Sequence, residues 1–110
     1  METALRKEGN AVIVSVKGRM DAVCSMDFEK VLEDQIAAGE TRFIIDFSGL
    51  EYISSAGLQC ILSAAKMLEH KKGDLQLASL KGTVKDVFEI SGFSSIFSIF
   101  DSVKSALAET

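Results

Sequence analysis

The residues able to do chemistry gather in one stretch. Ser54-Ser55-Ala56-Gly57 stands between an apolar, β-branched run, Phe43-Ile44-Ile45-Asp46-Phe47, and a segment of helical periodicity that begins at Leu58. Hydroxyls at such a strand-to-helix turn lie beside the unpaired N–H groups of a helix start, where an anion is electrostatically favoured. A serine in this position invites comparison with a hydrolase nucleophile, but the Gly-x-Ser-x-Gly turn is absent. Gly49 precedes Ser55 by six residues, and the sole histidine, His70, stands at the far end of the same helical segment. At a rise of ~1.5 Å per residue the imidazole is more than roughly 20 Å from the hydroxyl. Next to Lys71 and Lys72, His70 reads as a complement to the helix dipole rather than as a metal ligand. Cys24 and Cys60 are too few for a disulfide framework or a zinc site. The chain has no glycine-rich phosphate loop with its lysine and no cluster of metal ligands. Neither an enzymatic activity nor a cofactor is expected.

The elements that must hold this turn can be read from periodicity. Phe43 to Phe47 reads as a buried strand that Ser48-Gly49 breaks. In the helix that follows, Leu58, Ile61, Leu62, Ala65 and Leu68 share one face, and Gln59, Ser63, Lys66 and His70 share the other. Upstream, Thr3 to Lys7 reads as a first strand, Glu8-Gly9-Asn10 as a turn, and Ala11 to Lys17 as a second strand that Gly18-Arg19-Met20-Asp21 leaves. Ser25 is the expected cap of the next helix, with Phe28, Val31, Leu32 and Ile36 inward and Gly39 past its end. Downstream, Gly73-Asp74 turns into a strand at Leu75 to Ala78. A helix carrying Val84, Val87 and Phe88 follows Gly82 and ends at Gly92. Ile96 to Phe100 reads as a last strand, and Asp101 or Ser102 caps a final helix with Val103, Ala106 and Leu107 inward. Phe93, Phe97 and Phe100 with Ile96 and Ile99 form an apolar cluster whose expected role is core packing.

Strands alternating with helices imply βαβ units, a mostly parallel sheet and right-handed crossovers. Sites in such sheets gather at the carboxyl ends of the strands. Asp21, Ser54 to Gly57 and the turn after Ala78 are all expected there. Composition bounds the rest. The chain has 110 residues, 47% of them hydrophobic and 25% charged, which predicts a single folded domain over residues 1–110. Net charge is −4 and no basic run exceeds Lys71-Lys72, so nucleic acid is not an expected partner. The first residues lack the apolar core of a signal peptide, and no run approaches the ~18 apolar residues of a bilayer span. A cytoplasmic protein with no membrane insertion is expected.

Three motifs, in order, resemble one family. Asp46-x-Ser48-x-Leu50-x-Tyr52-Ile53-Ser54-Ser55-Ala56-Gly57-Leu58 is similar to the signature of the STAS domain. Gly18-Arg19-Met20-Asp21 resembles that family's early glycine-x-hydrophobic-aspartate turn, and Val87 to Phe93 resembles its late segment around a phenylalanine and a Ser/Thr-Gly pair. The likeness extends over nearly the whole chain and is greatest to the stand-alone bacterial anti-sigma factor antagonists. It implies the STAS fold: an α/β domain with a mostly parallel sheet of four to five strands, an N-terminal antiparallel strand, and about four helices packed mainly on one face.

The resemblance also implies a function and its residues. In the family the serine two places before the motif glycine accepts a phosphoryl group, which here is Ser55. The unmodified domain would bind a serine/threonine kinase acting as an anti-sigma factor; phosphorylation would abolish binding, and a serine phosphatase would restore it. Asp21, Ser54, Ala56, Gly57 and Leu58 would meet the partner. Ser54 departs from the aspartate that stand-alone members often carry and reads as the helix cap. Ala56 stands where Ser or Thr is common, leaving Ser55 as the one hydroxyl at the acceptor position. Each assignment has a structural counterpart: Ser55 as a bare cap, Asp21 as a turn aspartate, Gly57 as a packing glycine, Asp46 as a hydrogen-bond partner of the turn after its strand. Related domains also serve as unphosphorylated subunits of transport or lipid-trafficking ATPases, or in partner switches that govern secretion or motility.

Overall fold

The structure is a computed structural model that describes residues 1–109. A hairpin opens it: β1 (Glu2–Glu8) runs antiparallel to β2 (Ala11–Met20). Gly9, with φ +60°, takes the first of the two turn positions that a tight hairpin needs. Helix α1 (Ala22–Ala37) crosses to β3 (Arg42–Ile53), α2 (Ser55–His70) to β4 (Asp74–Ala78), and α3 (Gly82–Ile90) with a 3₁₀ turn at Phe93–Ser95 to β5 (Ser98–Phe100). The chain closes on α4 (Val103–Ala108). Strands lie in the order β1-β2-β3-β4-β5, with β2 to β5 mutually parallel.

The central strands are apolar in continuous runs because both of their faces are covered. Val12, Val14, Val16, Phe43, Ile45 and Phe47 pack beneath α1, α2 and α3. Ala11, Ile13, Ile44 and Ala78 pack beneath α4 through Ala106. Three helices therefore sit on one face and only the short α4 on the other, as expected. Phe47 and Phe88 meet edge to face with centroids 5.6 Å apart, joining β3 to α3.

Several local expectations are corrected. Ser48-Gly49 does not break β3, and Gly18-Arg19 does not end β2. Both strands run on, pairing Lys17 with Gly49, Gly18 with Leu50, Arg19 with Tyr52 and Met20 with Ile53, past two register shifts. The Ser48 N–H donates to Asp46 Oδ1 at 3.0 Å, so the side chain satisfies a backbone group at the irregularity and pairing resumes beyond it. Ser25 is buried inside α1 and its hydroxyl donates to the Ala22 carbonyl at 2.8 Å; the cap is Asp21, four residues earlier. The last strand begins at Ser98 rather than Ile96, because the 3₁₀ turn occupies the approach. Phe93 and Phe97 join the larger core and Phe100 the smaller one, but Ile96 is 61% and Ile99 37% exposed at the sheet edge. Ser102, not Asp101, caps α4, accepting from the Ser105 N–H at 3.1 Å.

Candidate functional site: two helix starts on one strand pair

The register shifts carry β2 and β3 well beyond their neighbours. Strand β4 ends at Ala78, opposite Asp46, seven residues short of Ile53. At ~3.3 Å per residue the β2–β3 ribbon projects about 20 Å further. The turn after Ala78 therefore does not share the site with Asp21 and Ser54, contrary to the expectation that all three strand ends would meet. What the ribbon brings together is two helix starts. Met20 and Ile53 are its last register pair, and the Ser54 N–H donates to the Met20 carbonyl at 2.9 Å. Immediately beyond, Asp21 caps α1 and Ser54 caps α2. The positive ends of two helix dipoles lie side by side there.

Each cap is made by a side chain. Asp21 Oδ1 accepts from the Cys24 N–H at 2.8 Å. That backbone hydrogen bond, with a second contribution from the Cys24 side chain, holds the exposed Asp21 carboxyl below its ordinary value, so it is an anion at neutral pH. Ser54 Oγ accepts from the Gly57 N–H at 3.1 Å while its carbonyl takes the first helical bond, from Leu58 N–H at 3.1 Å. Ser54 is thus the cap, and Ser55 is not. Ser55, the first residue of α2, is exposed, and its hydroxyl has no hydrogen-bond partner among the described residues.

Gly57 seats the helix. A Cβ built there would lie 2.8 Å from both Ile53 Cγ1 and Met20 Sδ. Only glycine lets α2 begin this close to the strand ends. Gly57 and Leu58 are buried, Ala56 is half-buried, and Asp21 and Ser55 form the exposed rim. Arg19 stacks over the Tyr52 ring at 4.4 Å on the ribbon that carries the rim.

A groove between α1 and α2 adjoins the rim, with a volume of about 610 Å³. Met26, Glu29 and Glu33 of α1 face Ala56 and Gln59 of α2 across it, and Cys60 forms its floor. The Cys60 Sγ lies 3.2 Å from the Ser25 carbonyl and 3.0 Å from Glu29 Oε2, two acceptors for its single thiol proton. Burial first, and the Glu29 carboxylate second, push its pKa up to about 12. It stays a thiol at neutral pH and is no nucleophile. Val23 and Met26, each 72% exposed on the first turns of α1, went unnoticed in the sequence. Their signal was available: they fall off the face that carries Phe28, Leu32 and Ile36. His70 lies in the last turn of α2, at the opposite end from Ser55. The described residues hold no group of three or more potential metal ligands, and none of their helices is long and apolar enough to cross a membrane.

A five-stranded sheet whose longest parallel pair delivers two adjoining helix starts, one bearing a bare serine, defines a recognisable class. The chain belongs to the STAS domain family, whose family model matches residues 2–106. Among individual relatives it is 39% identical over 108 residues to BtrV of Bordetella bronchiseptica, provisionally named an anti-sigma factor antagonist, covering 98% of this chain and 93% of that protein. Its fold is also that of a Thermotoga maritima protein described in the same provisional terms (TM-score 0.92, 21% identity, 97% of this chain and 92% of that one). The Bacillus cell fate determinant SpoIIAA, solved in its phosphorylated form, is a further structural neighbour at TM-score 0.78 and 21% identity, over 96% of each chain.

Proposed function

We propose that this protein is an anti-sigma factor antagonist in a partner-switching pathway. In the unmodified state it binds, in the cytoplasm, a serine/threonine kinase that acts as an anti-sigma factor. Asp21, Ser54 and Ala56 present the contact surface, and Gly57 and Leu58 set its shape. The kinase transfers a phosphoryl group from ATP to Ser55 Oγ, the hydroxyl proton leaves, and the complex dissociates. A serine phosphatase hydrolyses the ester and resets the switch. The protein is the substrate of this chemistry and contributes no catalytic group.

The observation that carries the reading is the division of labour between adjacent serines. Ser54 caps the helix through Gly57 N–H, which leaves the exposed Ser55 hydroxyl without a structural duty. A phosphoserine adds about −1.5 to −2 charges at pH 7. At a helix start that charge is compatible with the fold. Its effect falls on docking instead: a partner would have to desolvate a dianion at the centre of the contact. The name of the Bordetella relative and the phosphorylated state of SpoIIAA agree with this reading. The test is incubation with the cognate kinase and ATP, followed by intact mass. One added phosphate is expected, lost in Ser55→Ala and retained in Ser54→Ala. Phosphate that persists in Ser55→Ala would show that another residue is the acceptor.

A further inference from the structure

The far end of the sheet holds a second polar cavity, remote from the helix starts. It opens on the α4 face, where the parallel strands begin, with a volume of about 480 Å³. That is within the size range of small-molecule sites. Arg42, Asp74 and Ser98 are the first residues of β3, β4 and β5, and they line it together with Asn10, Gln76, Phe100 and Glu109. The α4 helix is six residues long; it covers Ile44 and Ala78, and its C-terminal end reaches the cavity wall at Arg42.

Three features of the lining point to a ligand. Gln76 is only 6% exposed, in the middle of β4. Its neighbours Leu75 and Leu77 pack into the helix-covered core, so Gln76 projects to the opposite face, into the cavity. Its Oε1 is buried and has no hydrogen-bond partner among the described residues. Native structures rarely leave such an acceptor unpaired. Second, Arg42 is hydrogen-bonded at the wall: Nη1 donates to Asn10 Oδ1 at 3.3 Å, and Nη2 to the carbonyls of Ala106 and Glu109 at 3.1 and 2.6 Å. A guanidinium has five N–H donors, and among the described residues Nε–H and one Nη1–H have no acceptor. Third, Arg42 and Asp74 are direct register partners on adjacent strands, yet no ion pair joins them among the described residues. An anion-binding and a cation-binding group are held apart beside an unpaired carboxamide oxygen.

We propose that this cavity binds a free α-amino acid as its zwitterion. The ligand carboxylate accepts from one of the remaining Arg42 N–H groups in a charge-assisted hydrogen bond. The ammonium donates to the Asp74 carboxylate and to Gln76 Oε1, satisfying the orphaned acceptor. The side chain lies against Phe100 and the Ser98 hydroxyl. No bond is made or broken. The site is independent of Ser55, which lies beyond the other end of β3.

The experiment is a titration of the full-length, isotope-labelled protein followed by NMR at the backbone and side-chain amide signals of Gln76. L-alanine, L-serine and L-glutamine are the zwitterionic probes; ethylamine and acetate carry one charge each. Saturable shifts centred on Gln76 and Ser98 are expected for at least one amino acid, with each single-charge probe binding about tenfold more weakly or worse. Gln76→Leu should abolish the response while leaving distant signals in place. Asp74→Asn, an exposed change that leaves the core intact, should weaken it about tenfold and decides the matter if Gln76→Leu does not fold. The proposal is overturned by the absence of saturation with all three amino acids, or by equal responses to acetate and ethylamine. Shifts that survive in both variants would overturn it too, as would a titration-insensitive Gln76 bonded only to a bound water.

Discussion

Gly57→Ala tests whether α2 is seated by steric necessity. The added carbon would sit 2.8 Å from Ile53 Cγ1 and Met20 Sδ and 3.2 Å from Met20 Cγ. Optimal carbon contacts lie at about 3.5–4.0 Å, so the first turn of α2 must lift by roughly 1 Å or the pair beneath must repack. Overpacking of this kind costs about 1–3 kcal/mol. Removing glycine from a helix returns up to about 1 kcal/mol of propensity, so the clash wins. A net loss of about 1 kcal/mol corresponds to a fall in Tm on the order of 5 °C for a domain of this size. The assay is thermal and urea unfolding of Gly57→Ala, alone and in a Met20→Ala background that removes Sδ and Cγ from under the new carbon. The cost should shrink by about 0.5–1 kcal/mol in the double variant, because the two residues are in contact. A rise in Tm for Gly57→Ala, or an equal cost in both backgrounds, would refute the close-seating argument. The same lift displaces Ser55, so partner binding by Gly57→Ala should fall by more than the stability loss explains.

Other outcomes follow from the same geometry. Ser54→Ala removes the α2 cap and should lower stability by about 1 kcal/mol, whereas Ser55→Ala should stay within about 0.5 kcal/mol of wild type by the same unfolding measurement. Ser55→Asp should unfold at nearly the wild-type temperature yet bind the kinase on the order of a thousandfold more weakly by calorimetry, a penalty of about 4 kcal/mol; a large loss of Tm would mark a structural serine. Cys60, held up at about 12 against an ordinary 9.0, ionises more readily in the unfolded chain. Its contribution to stability is complete below pH about 9 and is lost as pH rises toward 12, so wild type should lose stability across that window faster than Cys60→Ala. Thiol labelling of the native protein at pH 7 should modify Cys24, which is half-buried, well before Cys60; equal rates would contradict the buried, hydrogen-bonded thiol.

The amino-acid order by itself determined the alternation of strands and helices, because each period has one mechanical meaning: continuous β-branched runs at Ala11–Val16 and Phe43–Phe47, and a 3.6-residue apolar stripe from Leu58 to Leu68. It also determined the turns at Gly9, Gly39 and Gly92 and the choice of Ser54 as a cap, since these depend on neighbours only a few residues away. Tertiary structure decided what depends on register between distant segments. Nothing local says that pairing resumes after Ser48-Gly49; it does because Lys17 to Met20 offer a matching edge, and so the β2–β3 ribbon outruns β4 and the turn after Ala78 is excluded from the site. Ser25 looks like a cap in sequence, but Asp21 takes that duty once Met20 is fixed against Ile53. The orphaned Gln76 oxygen beside Arg42 and Asp74 likewise arises only when the sheet assembles. Burial is a property of the packed whole, and no residue carries it in its own side chain.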